Sequence, residues 1–173
     1  MPIRFDLRKY FHFAPKYFIE TGTWAGEGVQ KACKAGFEQI FTIEIDTTQY
    51  LLTKKDLHRQ GYLRNTKMLL GDSVDLLPSI IESLDAPATF WLDAHPIDDS
   101  IFVCPLYKEL EIIKQSEIKN HTIMIDDVRR FGKYLPNIDK DVVQEKLLEI
   151  NSDYNIVYEH GIKPKDVMVA YCA

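Results

Sequence analysis

Carboxylates recur at the ends of short apolar runs in this chain. Glu20 follows 17–19, Glu44 follows 40–43, Asp72 follows 67–70, Asp93 follows 89–92, and Asp126-Asp127 follow 122–125. Asp93, Asp126 and Asp127, if brought together, would repel one another unless a cation lay between them. An all-oxygen donor set suits a hard ion such as Mg²⁺, Mn²⁺ or Ca²⁺. His95 stands two residues after Asp93, and a neutral imidazole there can accept a proton. Near the N-terminus runs Glu20-Thr21-Gly22-Thr23-Trp24-Ala25-Gly26-Glu27-Gly28. Gly22 permits a tight turn, Gly26 a close backbone approach, and the free N–H groups of a following helix attract an anionic group. Glu44, 24 residues after Glu20, is placed to accept both hydroxyls of a ribose. Asp72 and Ser73 would flank the same crevice and could bond an adenine edge. Each residue also has a plain reading: glycines serve any strand-to-helix turn, and aspartates cap helices.

These residues need elements to position them. The spacing predicts strands over 17–19, 40–43, 67–70, 89–92 and 122–125, each a short apolar run, that over 40–43 rich in β-branched residues. Helices are expected over 27–35, 48–60, 106–115 and 141–150, with another after Ser73. Val74, Leu77, Ile81 and Leu84 there share one face, and Pro78 predicts an irregular start close to itself. Two last strands, 154–158 and 166–171, have no helix between them and should pair antiparallel. The sum is an α/β, Rossmann-like, doubly wound seven-stranded sheet, mostly parallel, with a C-terminal antiparallel hairpin. Residues 1–173 read as one domain, and in such folds ligands sit outside the C-terminal strand ends.

Composition agrees. The 173 residues are 46% hydrophobic and 12% aromatic, which excludes a disordered chain. A formal charge of −5 argues against a nucleic-acid backbone as partner. No apolar run nears the roughly 20 residues that span a bilayer. The start of the chain has no signal-peptide pattern, and three scattered cysteines favour neither disulfides nor zinc. A cytoplasmic enzyme is the expectation.

The run FIETGTWAG, followed by TIEID, GDS and the expected strand order, resembles the class I S-adenosylmethionine-dependent methyltransferases along nearly the whole chain. G-x-G-x-x-G, which would favour a dinucleotide, is absent. Asp93, Asp126 and Asp127 match the ligand positions of metal-dependent O-methyltransferases, and the double aspartate is closer to the type acting on sugars of macrolide and aminocoumarin antibiotics than to the catechol type. The resemblance implies S-adenosylmethionine at Glu20, Gly22, Thr23, Gly26, Glu44, Asp72, Ser73 and Asp93. It also implies Mg²⁺ or Mn²⁺ at the three aspartates and a hydroxyl acceptor on a sugar, glycan or small molecule. The sugar type has an aspartate as base where this chain has His95, and the catechol type's lysine falls at Pro96, which cannot act.

Other residues read as follows. Asp98 and Asp99 belong to a solvated loop, Arg129, Arg130 and Lys133 either meet an anionic substrate or are solvated, and Trp24 packs. His12, His58, His121 and His160 are expected on the surface or in loops, and residues 4–13 as a short packing helix. Only some 16 residues precede the first strand. That leaves a shallow, open acceptor site unless the 96–105 loop or a partner subunit in a homodimer covers it, and favours a large or exposed acceptor. The competing readings are an NAD(P)-linked oxidoreductase, a metal-independent methyltransferase and a non-catalytic nucleotide-binding module.

Overall fold

A computed structural model describes residues 3–11, 14–95 and 103–173. The strands are β1 (Tyr17–Thr21), β2 (Gln39–Glu44), β3 (Thr66–Leu70), β4 (Ala88–Leu92), β5 (Thr122–Ile125), β6 (Asn155–Glu159) and β7 (Val167–Tyr171). Between them lie helices α1 (Glu27–Ala35), α2 (Thr47–Arg59), α3 (Ser73–Glu82), α4 (Leu106–Lys114) and α5 (Lys140–Ile150). The sheet order is β3-β2-β1-β4-β5-β7-β6. β1 to β5 are parallel, and β7 runs antiparallel to both β5 and β6. The doubly wound sheet with its terminal hairpin is therefore as expected.

Central strands β1, β4 and β5 are buried along their whole length because both faces are covered. Their side chains alternate between two cores. Ile19, Phe90 and Ile123 meet Leu77, Leu110 and Leu147 from α3, α4 and α5. Phe18, Trp91 and Met124 face Val29 of α1, Leu57 of α2 and Leu7 of the N-terminal segment. That segment forms a 3-10 turn, Leu7–Tyr10, in place of the expected helix, while His12 and Phe13 lie outside the described residues. It is anchored by the Tyr10 hydroxyl, which donates to Glu159 of β6 at 2.5 Å.

Two expectations are corrected. α3 begins at Ser73, capped by the Asp72 carboxylate on the Val74 N–H at 2.9 Å, and runs straight through Pro78. Pro78 is exposed, so the carbonyl that its missing N–H would have served can turn to water. His121 is fully buried rather than on the surface. Its Nδ1 accepts the Ala88 N–H at 3.0 Å and its Nε2 lies 3.0 Å from the Ser116 hydroxyl. Burial lowers its pKa to about 4, so it is a neutral brace between β4 and the α4–β5 connection.

Sheet order also fixes where a ligand can sit. The chain leaves β1 toward β3, then α3 carries it back to β4 on the other side of β1. The connections before and after β1 and β4 therefore diverge, and a crevice opens above their C-terminal ends.

Candidate functional site

The wall above β1 is built by exclusion of side chains. Gly22 has φ +82°, and a Cβ on it would stand 2.5 Å from the Asp93 carbonyl oxygen, so the end of β4 can pass directly against the turn. A Cβ on Gly28 would lie 1.8 Å from Glu20 Oε1, so α1 can cross the buried Glu20 carboxyl only with glycine there. Glu20 itself is 2% exposed and lies under α1, shaping the turn from beneath. The Thr42 hydroxyl donates to its Oε2 at 2.6 Å, and Thr23 stands 2.6 Å from Thr42 in the same chain. Burial raises the Glu20 pKa to about 8, which leaves it protonated at neutral pH.

Glu44, at the end of β2, closes the turn from the side. Its Oε2 accepts the Trp24 N–H at 2.9 Å and its Oε1 the Asp46 N–H at 3.0 Å. Each oxygen keeps a lone pair for a ribose hydroxyl. The Trp24 carbonyl is held by Gln49 Nε2 at 2.9 Å and by the Thr53 hydroxyl. These three contacts pin Trp24 in the left-handed region at φ 45°, with its indole half exposed instead of packed as expected. Asp72 is exposed at the α3 cap, and Ser73 is buried beside it.

The other wall, above β4 and β5, is built from charges. His95 Nε2 stands 3.0 Å from Asp93 Oδ1 and 2.9 Å from Asp127 Oδ2. Neither approach is a well-formed hydrogen bond, although Nε2 is buried. On the far side of the ring, Arg130 Nη1 lies 2.8 Å from Nδ1. A guanidinium only donates, so Nδ1 carries the lone pair and a neutral ring has its proton on Nε2, toward the two carboxylates. Burial works to lower the His95 pKa, but Asp127 and Asp93 outweigh it and raise it to about 9. Asp127 sits at φ 59°, and its N–H donates to Asp126 Oδ1 at 2.7 Å. Burial would raise Asp127, yet His95 and Arg129 hold it at about 2. Asp126 has no such partner: burial, then the Asp93 charge, push it up to about 7.

The acidic donors gather in two overlapping sets, Asp93–His95–Asp127 and Asp126–Asp127–Asp166, each with ligand atoms within 4.8 Å of one another. The expected set Asp93, Asp126 and Asp127 is thus spread across both, with Asp127 shared. The first set could take a divalent ion only if Nε2 gave up its proton to become a ligand. Bonds of about 2.1 Å to such an ion would put neighbouring donors about 3.0 Å apart, which is the spacing around the orphaned His95 Nε2. In the second set, Arg129 already joins Asp127 to Asp166.

Beneath the charged wall lies a cavity of ≈ 10 Å³, bordered by His95, Asp126, Cys104 and Glu109. That is room for about one water. A larger groove of ≈ 540 Å³ lies at the opposite edge of the sheet, between Lys16, Glu38, Arg64 and Lys67. It has none of the chemistry above, so the strand ends define the site rather than this groove.

Sequence reasoning missed Asp166 and Glu109. Asp166 precedes the antiparallel β7, where the parallel strand-end rule does not reach. Glu109 had a readable signal, since an acid stands on the apolar face formed by Leu106, Leu110 and Ile113. Asp98, Asp99 and Pro96 lie outside the described residues.

No family model and no curated protein matches this chain. Solved structures do resemble it. The O-methyltransferase TomG from Streptomyces achromogenes, involved in tomaymycin synthesis and bound to SAM, is 18% identical. That match covers 91% of this chain and 74% of TomG, with a TM-score of 0.59. An O-methyltransferase from Bacillus cereus in complex with SAH is 16% identical over 90% of this chain and 74% of its own, with a TM-score of 0.58. A spermidine synthase bound to the transition-state analogue AdoDATO is 10% identical over 95% of this chain and 55% of its own, with a TM-score of 0.63. At such identities the likeness establishes a shared fold, and the chemistry has to be argued from the site.

Proposed function

We propose that this chain is an S-adenosylmethionine-dependent O-methyltransferase that methylates a hydroxyl of a sugar, glycan or small molecule. The observation that carries this reading is the pairing of the two walls. A turn closed by Gly22, Gly26 and Glu44 faces, across the β1–β4 switch point, an imidazole braced by carboxylates. Thr23 and Ser73, with Asp72, line the cofactor side.

In the proposed reaction the acceptor hydroxyl takes the place of Arg130 next to His95 Nδ1. Asp93 and Asp127 orient the opposite nitrogen, so Nδ1 is the basic face of the ring. In the ring's unprotonated form, which gains population as pH rises toward about 9, the Nδ1 lone pair takes the hydroxyl proton, and the oxygen's pair attacks the methyl carbon in line. The carbon–sulfur bond breaks with its electrons going to sulfur, which leaves a neutral thioether. A divalent cation held by Asp93, Asp126 and Asp127, with His95 at its edge, would lower the pKa of the bound hydroxyl. A second reading, without metal, is favoured by Arg129 and His95, which already compensate Asp127.

Thermal shift and calorimetry test the cofactor. S-adenosylhomocysteine at about 100 times its Kd should stabilise the chain by about 2.7 kcal/mol, and NADH should not. Stabilisation by NADH alone would overturn the reading in favour of the oxidoreductase. With radiolabelled donor and a panel of sugars and phenols, EDTA should abolish transfer and Mn²⁺ or Mg²⁺ restore it. Undiminished transfer in EDTA selects the metal-free version.

A further inference from the structure

Glu109 belongs to none of the roles above, yet it lies at the centre of the site. It projects from α4 and is 1% exposed. The hydroxyls of Ser73, in the first turn of α3, and Thr21, the last residue of β1, both face its carboxyl. Even so, Oε1 and the Thr21 hydroxyl each lack a well-formed hydrogen bond. Leaving a buried carboxyl half-satisfied costs roughly 1–3 kcal/mol, so a glutamate under two hydroxyls is an expensive way merely to fill space. Beyond it the small cavity opens toward His95 and Asp126, with room for about one water to serve the unpaired oxygen.

We propose that Glu109 is a positioning residue for the cofactor: it accepts hydrogen bonds from the hydroxyls of Ser73 and Thr21, locks the end of β1 to the start of α3, and leaves the Ser73 lone pairs for hydrogen-bond donors of the ligand. This rests on reading the crevice as an S-adenosyl site. Adenine, ribose and ammonium groups are all donors, so the ionised carboxyl is the form that prepares Ser73 to accept. Burial raises the Glu109 pKa to about 7. The charged and titratable groups around it are Asp72 at the α3 cap and His95 at the β4 end, with Asp126 and Cys104 across the cavity. Cofactor affinity therefore increases as pH rises through neutrality.

The test is calorimetric titration of S-adenosylhomocysteine from about pH 6 to about pH 8.5, bracketing that ionisation. The wild-type chain should bind more tightly toward the alkaline end. Glu109→Gln, which keeps the shape and removes the charge, should bind about tenfold more weakly at the alkaline end and lose the pH dependence. Ser73→Ala should reproduce both effects with Glu109 intact, and it serves as the test if Glu109→Gln does not fold. A merely structural glutamate would leave the pH profile in place. Unchanged affinity and pH profile in the two variants overturns the proposal while leaving the cofactor assignment standing. Failure of the wild-type chain to bind S-adenosylhomocysteine at any pH overturns both.

Discussion

On the β1–β2–β3 side of the crevice, the carboxylates of Glu44, Asp46 and Asp72 end on backbone. Glu44 takes the N–H groups of Trp24 and Asp46, Asp46 takes that of Gln49, and Asp72 takes that of Val74. On the β4–β5–β7 side they end on charged side chains: Asp93 and Asp127 on His95, Asp127 and Asp166 on Arg129. The first wall is set by where the chain can go, and its shape should be indifferent to salt. The second is set by charge balance, so a ligand, a proton or an ion can redistribute it. A rigid wall to hold one reactant and an adjustable wall to activate the other is a division that group transfer can use.

Gly28→Ala should break the first wall with the largest effect. Its Cβ would stand 1.8 Å from Glu20 Oε1 inside a packed face, and the buried Glu20 side chain would have to swing away from the Thr42 hydroxyl to make room. We expect a loss of about 3 kcal/mol, in the upper range for overpacking. In urea unfolding the loss should be the same at low and high salt. Glu20→Ala in the same chain should recover part of it, because the clash partner is then gone.

Asp166→Asn strikes the second wall. It leaves Arg129 with Asp127 alone and removes a carboxylate that also receives the Lys163 N–H at 3.3 Å. Breaking a fully buried pair costs roughly 3–5 kcal/mol. Arg129 is 31% exposed, so about 2 kcal/mol is the expectation here. The loss should shrink in high salt, unlike that of Gly28→Ala. Equal salt responses would erase the distinction between the walls.

The same distinction explains what could be read in the sequence. Gly22, Gly26 and the aspartate caps act over a few residues, so their spacing carries their role, and the alternation of apolar runs with helical stripes carries the sheet. The Asp127–Arg129–Asp166 group joins residues up to 39 positions apart across an antiparallel pairing, and no local pattern announces it. His121 misled because a histidine looks alike in a loop and in a core, where only the Ala88 N–H and Ser116 tell them apart. Asp93, His95, Asp126 and Asp127 were legible as strand-end residues. Their division into two overlapping sets depends on the αL turn at Asp127, which sequence does not reveal.

Glu20 sharpens the comparison from inside the first wall, as a buried carboxyl that ends on a hydroxyl rather than on backbone or charge. Below its unfolded value near 4.5 it is protonated in both states. As pH rises from there, the unfolded chain releases the proton while the folded chain holds it up to about 8, because burial disfavours the anion. The unfolded state then binds fewer protons, so stability falls with rising pH across this window. Glu20→Gln has no proton to lose and keeps an oxygen for the Thr42 hydroxyl. Near pH 5 the variant should match the wild-type chain. Near pH 8 it should be the more stable of the two, with the higher Tm, and the gap should widen as pH rises between those two points. Parallel Tm profiles for the two proteins would mean that Glu20 is hydrated and ionised beneath α1, and the first wall would then share the charge-balanced character of the second.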